Sequence, residues 1–248
     1  MATKIRKPLR RFARHFLEAR ESELNEADTV LRLCKFFEDV LGYDALSDIS
    51  REAEMKSKYV DVCLKIDGRV RLLVEAKGSS VALRDRHIDQ AQAYAAQNNF
   101  RWVLLTNGVE WHLYHLNFEE GIEYERAFVA TLATDEGMDD AAEKLAYLHK
   151  NAIKKGELEQ FWEKATALGP ASIGKALFSE KLLLLLRREI RRDTGILIDS
   201  EDLATSVHGM LSQEVREEIG PARVRKRRRP TKKVAGKPAE PPVPSSAG

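Results

Sequence analysis

The chain has 248 residues, enough for one medium domain with an appendage or for two small domains. With 43% hydrophobic and 32% charged residues it reads as a soluble globular protein, and no apolar run approaches the ~20 residues of a membrane span. Its net charge of +2 is unevenly spread: residues 1–20 hold seven Lys/Arg against one Glu, residues 221–248 hold nine against one, and the stretch between carries −12.

Basic ends on an acidic body predict that the ends meet an anionic polymer such as DNA, with Arg225, Arg227 and Arg228 among the contacts. Cys34 and Cys63 lie in apolar segments without pairing or metal-ligand spacing. The basic N-terminus lacks the apolar core of a secretory signal, so a reducing cytoplasm is the expected compartment.

In chain order, residues 1–20 read as a basic arm with a short amphipathic helix around Leu9–Ala19. Asn25 is placed to cap a helix whose stripe is Val30, Leu33, Cys34, Phe37, Val40 and Leu41, closed by Gly42. Glu26 heads that stripe; a favourable charge at a helix N-terminus would explain it equally well. A strand is expected within Ile49–Met55.

Tyr59 to Lys77 reads as a β-hairpin. Val60, Val62, Leu64 and Ile66 alternate with Asp61, Cys63 and Lys65, and Val70, Leu72, Val74 and Ala76 alternate with Arg71, Leu73, Glu75 and Lys77. A two-residue Asp67-Gly68 loop would mix the two faces. An odd loop keeps apolar opposite apolar, and is therefore expected. Asp61 and Glu75 then stand diagonal or opposite, a repulsive pair that a divalent cation would reverse and Lys77 would moderate. A solvent-facing strand edge would also carry such charges.

Beyond the hairpin, Gly78-Ser79-Ser80 is a loop and Leu83–Asn98 a helix rich in Ala and Gln. Trp102–Thr106 and Glu110–Leu116 are strands joined across Asn107-Gly108, and Tyr124–Leu132 adds another. Helices are expected at Met138–Asn151, Glu157–Leu168, Ser179–Arg191 and Ser200–Leu211, the last capped by Ser200. This gives an α/β or α+β sheet domain at 21–135, a helical appendage at 136–215 and a disordered basic, Pro/Ala/Ser-rich tail at 216–248.

Three stretches imitate sites. Glu54-Met55-Lys56 is a second Glu-x-Lys, but its nearest upstream acid, Asp48, leaves no room for a hairpin. His112 and His115 are three apart on a strand and face opposite sides. Gly169 to Ala176 imitates a phosphate-binding loop, yet ends in Ala where Mg²⁺ needs a hydroxyl, so no nucleotide cofactor is expected.

The order of the remaining motifs is a helix headed by Glu26, Asp61 on a strand, Glu75-Ala76-Lys77 on the next, then Gln90 and Tyr94 on a helix. With Leu41-Gly42-Tyr43-Asp44 and Leu105-Thr106-Asn107-Gly108, it resembles the PD-(D/E)XK nucleases. Within them it is similar to the N-terminal nuclease domain of type I restriction-enzyme R subunits, over residues 21–120. Val60 stands where the name-giving proline would be, and the ATP-driven translocase of R subunits has no counterpart.

The resemblance implies a mixed β-sheet flanked by helices and Mg²⁺-dependent DNA cleavage, with Mn²⁺ as a substitute ion. Asp61 and Glu75 would be metal ligands, Lys77 the catalytic lysine and Glu26 an auxiliary carboxylate. Gln90, Tyr94 and the loop residue Ser79 would help place DNA. The other reading is a catalytically silent module that binds DNA or recruits a partner, with the appendage as a surface for a homodimer or a partner protein.

Overall fold

The computed structural model describes residues 2–55, 58–118 and 121–223. It divides into two compact units, Met1–Thr166 and Ala167–Gly248. The tail residues Arg225, Arg227 and Arg228 lie outside the described residues. No described helix is long and apolar enough to cross a membrane.

The first unit begins with α1 (Ala2–Glu21) and α2 (Glu26–Asp39), followed by β1 (Ile49–Met55), β2 (Lys58–Ile66) and β3 (Arg69–Ala76). A 3₁₀ turn (Asp85–Ile88) and α3 (Asp89–Asn98) lead to β4 (Trp102–Thr106), β5 (Glu110–Asn117) and β6 (Glu123–Thr131). The unit closes with α4 (Asp135–Ala146), α5 (Lys150–Lys154) and α6 (Glu157–Ala167). All six strands form one open sheet in chain order. Neighbours are antiparallel except β3 and β4, which run parallel because the 3₁₀ turn and α3 carry the chain back across the sheet. A mixed sheet flanked by helices is the expected α+β class.

The hairpin loop differs from the odd loop expected. Ile66 pairs with Arg69 across a two-residue Asp67-Gly68 turn, and both turn residues are left-handed, at φ 51° and 75°. That geometry matches the strands' twist. Parity is restored one step later by a β-bulge. Lys65 faces Val70 but Leu64 faces Leu72, so Arg71 is the extra residue. Beyond it, Cys63 faces Leu73 and Val62 faces Val74, and the same register carried one step further sets Asp61 across from Glu75.

The sheet buries both faces. On one, Val62, Leu64, Leu72, Val74 and Leu104 pack with α1, α2, α4 and the start of α6. On the other, Cys63, Leu73, Val103 and Leu105 pack beneath α3, together with Val60, which leaves the face of its alternating neighbours.

Residues 1–20 are therefore not an arm. Ile5, Leu9, Phe12, Ala13 and Phe16 fall on one helical face and are buried in the main core, and Ala19 on the same face is also buried. The basic side chains of α1 are its solvent face. Phe16 and Phe36 both meet the Trp111 ring, at centroid distances of 6.1 and 4.9 Å. Likewise Met138, Leu145, Leu148, Ile153 and Leu158 join this core, so α4 to α6 complete the sheet unit, and a separate helical unit starts only after Thr166.

The second unit contains α7 (Pro170–Leu177), α8 (Glu180–Thr194), α9 (Ser200–Met210) and α10 (Gln213–Ile219) around Phe178, Leu183, Leu203 and Ala204. The Gly169–Ala176 stretch forms α7, with Gly169 as its N-cap. The cap of α9 is Asp199, whose carboxylate accepts the Glu201 N–H at 2.8 Å, and Ser200 is already the first helical residue. Carboxylate and hydroxyl cap almost equally well, so two adjacent capping residues leave the boundary open by one position.

Candidate active site

The carboxyl end of β3 is the chemically densest part of the first unit. Asp61 on β2 directs Oδ2 at the neighbouring strand, where it accepts the Ala76 N–H at 2.7 Å. Glu75, only 4% exposed, lies on the same face. Its Oε1 accepts a hydrogen bond from Lys77 Nζ at 2.7 Å. The same ammonium donates to Glu26 Oε2 at 3.2 Å. Two strands and the start of α2 thus bring Glu26, Asp61, Glu75 and Lys77 together.

Glu26 comes from far along the chain, and a small set of contacts fixes it there. Asn25 caps α2 by accepting the Asp28 N–H at 2.9 Å, as its sequence position predicts. The turn before it is fastened to the end of β3 by Ser79. The Ser79 N–H donates to Leu24 O at 3.0 Å, and its hydroxyl donates to Ala19 O at 2.8 Å. Gly78 allows this approach, since a Cβ there would stand 3.2 Å from Leu24 O. Ser79 is fully buried, so it holds the site together from behind and offers nothing to DNA. On the other side, Asn107 Nδ2 donates to Val81 O at 2.9 Å, and Lys77 N–H extends the strand by donating to Thr106 O at 2.9 Å.

The electrostatics follow from this crowding. Burial, then the negative charge of Asp61, pushes the Glu75 carboxyl up to about 7, against the pull of Lys77. Burial disfavours the Lys77 ammonium, but its hydrogen bond and charge contact with Glu75, followed by Glu26, outweigh this and raise its pKa. At neutral pH Lys77 is therefore a cation held between the Glu75 and Glu26 carboxyl groups. No three Asp, Glu, His or Cys side chains among the described residues converge as a ligand group. Glu26 meets Lys77 and is the second acidic partner of the lysine.

Asp61 and Glu75 nevertheless fit a hard divalent cation. They are oxygen donors, burial and then their mutual repulsion hold a proton on Glu75 near neutrality, and Mg²⁺ is commonly bound through only one or two carboxylates.

Of the residues expected to touch DNA, Tyr94 is 3% exposed and packs in the core under α3, with Phe100 6.1 Å away. Its place on α3 faces the sheet, so the ring is a packing element. The backbone of Gln90 opens the same helix, and its side chain lies outside the described residues. His87 is the residue that the sequence hides. The stretch Leu83–Asn98 does not start as an α-helix: the 3₁₀ turn at Asp85–Ile88 brings His87 near Lys77. Burial, then the charges of Lys77, Arg86 and Arg84, lowers its pKa. Its Nδ1 accepts the Arg84 N–H at 3.2 Å, which leaves the proton of the neutral ring on Nε2.

An open mixed sheet with two carboxylates and a lysine at the carboxyl end of a parallel strand defines an α+β unit with a candidate hydrolytic centre. Residues 33–127 match the family model of the type I restriction enzyme R protein N terminus. The matched stretch carries Asp61, Glu75 and Lys77, while α1 and Glu26 fall before it. No curated protein and no solved structure matches the chain.

Proposed function

We propose that this chain is a divalent-metal-dependent DNA endonuclease of the PD-(D/E)XK kind, hydrolysing phosphodiester bonds at the carboxyl end of β3. The observation that carries this reading is the meeting of Asp61, Glu75 and Lys77 within the segment that matches the restriction R-protein N terminus.

Asp61 and Glu75 are the residues that would hold Mg²⁺ or Mn²⁺. The bound cation supplies charge neutralisation at the phosphate and lowers the pKa of a water. Lys77 acts as an ammonium. It orients the attacking water and stabilises the negative charge that grows on the phosphate oxygens. Glu26 and Glu75 hold the lysine side chain in place, and Glu26, on the exposed side, is the partner it can exchange for a phosphate oxygen. The α1–α2 turn and Ser79 keep Glu26 in register with β3.

The test is supercoiled plasmid incubated with wild type and Lys77→Ala in Mg²⁺, Mn²⁺ and EDTA. Nicking or linearisation by wild type with either metal, lost in EDTA and in Lys77→Ala, is expected. Equal cleavage by the variant would remove the site assignment. Salt-sensitive DNA binding without any cleavage would favour the silent binding module instead.

A further inference from the structure

At the opposite end of the same strands is a second hollow, of about 310 Å³. Arg71 and Lys77 are separated by roughly 20 Å along an extended strand, so this hollow is separate from the candidate active site. One wall is aromatic. The His115 ring stacks on Trp162 at 4.7 Å and 24°, and Trp102 stands edge-on to His115 at 4.8 Å. Trp102 is buried, whereas His115 and Trp162 keep part of their surface open to the hollow.

Four charged side chains line it: Arg71, Arg101, Glu159 and Glu163. All four are exposed, and among the described residues none forms an ion pair. Two cations and two anions around one small hollow would ordinarily find each other. Arg71 is also the extra residue of the β-bulge, and bulges re-aim a side chain at the cost of a ladder pairing.

We propose that this hollow binds a single nucleotide, its base stacked against the His115 and Trp162 wall and its phosphate held by Arg71 and Arg101. Stacking on aromatic rings suits any base, and guanidinium groups suit phosphate oxygens. Glu159 and Glu163 supply acceptors for the amino and imino hydrogens of a base edge, which a plain anion site has no use for. A volume near the lower end of the ~300–1,000 Å³ typical of small-molecule sites has room for one nucleotide. The nucleotide can come from solution or from a DNA strand.

The experiment is a tryptophan-fluorescence titration of the full chain in EDTA, where metal-dependent cleavage plays no part, so its result is independent of the nuclease reading. The probes are 2′-deoxyribonucleoside 5′-monophosphates, the corresponding nucleosides, inorganic phosphate and a short single-stranded oligodeoxynucleotide. Saturable quenching by the monophosphates is expected, weakened about tenfold or more in Arg71→Ala/Arg101→Ala and largely lost in Trp162→Phe. Removing the phosphate should weaken binding to wild type but not to the double-arginine variant. Arginine-dependent binding of the oligonucleotide would identify a strand as the source, and binding of the monophosphate alone would identify the free nucleotide. Thermal melting checks that the variants fold, and Glu163→Gln gives a second, milder perturbation of the base edge. Absence of saturable quenching by every probe, or inorganic phosphate competing as well as the nucleotide, would overturn the proposal.

Discussion

Asp61 accepts the Ala76 N–H at 2.7 Å, one residue past Glu75 on the neighbouring strand. The carboxylate is at once a sheet partner and the charge that helps push Glu75 up to about 7. These two roles can be separated. Asp61→Asn keeps a carbonyl oxygen for the Ala76 amide and removes only the charge. Its stability should stay within about 1 kcal/mol of wild type, while metal-dependent plasmid cleavage falls about a hundredfold or more. Asp61→Ala also orphans the amide and should cost about 1–3 kcal/mol. Urea unfolding of both variants beside the cleavage assay distinguishes the roles. Equal destabilisation by the two would mean that the hydrogen bond contributes little.

The raised Glu75 carboxyl makes stability and metal binding depend on pH in opposite directions. Its folded value of about 7 lies above the ordinary 4.5. Between those pH values the native state holds a proton that the unfolded chain has released. The contribution therefore favours the native state at low pH and is lost as pH rises from 4.5 through 7, on the order of 3 kcal/mol. A cation at Asp61 and Glu75 requires both groups ionised. The rise in Tm produced by 10-fold excess steps of Mg²⁺ should thus be small near pH 5.5 and grow through pH 8. Thermal melts with and without Mg²⁺ across that range check it. A Mg²⁺ effect independent of pH, or persisting in Glu75→Gln, would argue against binding at these carboxylates.

Much of this was legible in the chain because it rests on local rules. Alternation located β2 and β3, Asn107-Gly108 located the β4–β5 hairpin, and Asn25 located the start of α2. What escaped depends on long-range packing. The charges of residues 1–20 suggest an arm, although the buried positions Ile5, Leu9, Phe12 and Phe16 have helical spacing throughout. Charge decides what a surface can attract, but it does not decide whether the other face of a helix is buried. The loop at Asp67-Gly68 has the dipeptide of a two-residue turn, and only the bulge at Arg71 reconciles that turn with apolar pairing. Parity arguments fail wherever a strand can take in one extra residue. Tyr94 and Ser79 are polar-capable residues whose surroundings the sequence cannot fix, and both proved buried.

Ser79 gives a direct test of the difference between a DNA contact and a structural fastener. Its hydroxyl donates to Ala19 O, and it has no exposed surface. Ser79→Ala should destabilise the first unit by about 1 kcal/mol through the lost hydrogen bond. DNA affinity, measured by a fluorescence-anisotropy titration well below the melting temperature, should be unchanged. The cleavage rate should fall modestly, since the α1–α2 turn that holds Glu26 beside Lys77 loses one of its ties. A large loss of DNA affinity without loss of stability would restore Ser79 as a DNA contact.

The place of α1 in the core can be tested at one glycine. Gly108 in the β4–β5 turn has φ +88°, where an L side chain is strained. A Cβ there would also lie 2.3 Å from Phe16 Cδ1, the ring through which α1 meets Trp111. Phe16 is buried and cannot swing into solvent without opening the core. Gly108→Ala should therefore cost about 2–4 kcal/mol, the backbone strain adding to the overpacking. If residues 1–20 were a detached arm, only the backbone strain would remain, near 1 kcal/mol. Pairing Gly108→Ala with Phe16→Ala separates the two contributions. Removing the ring leaves a cavity of its own, but it should reduce the further penalty at Gly108, giving a coupling of about 1 kcal/mol or more in a double-mutant cycle followed by urea unfolding. Additive effects would place α1 away from this turn.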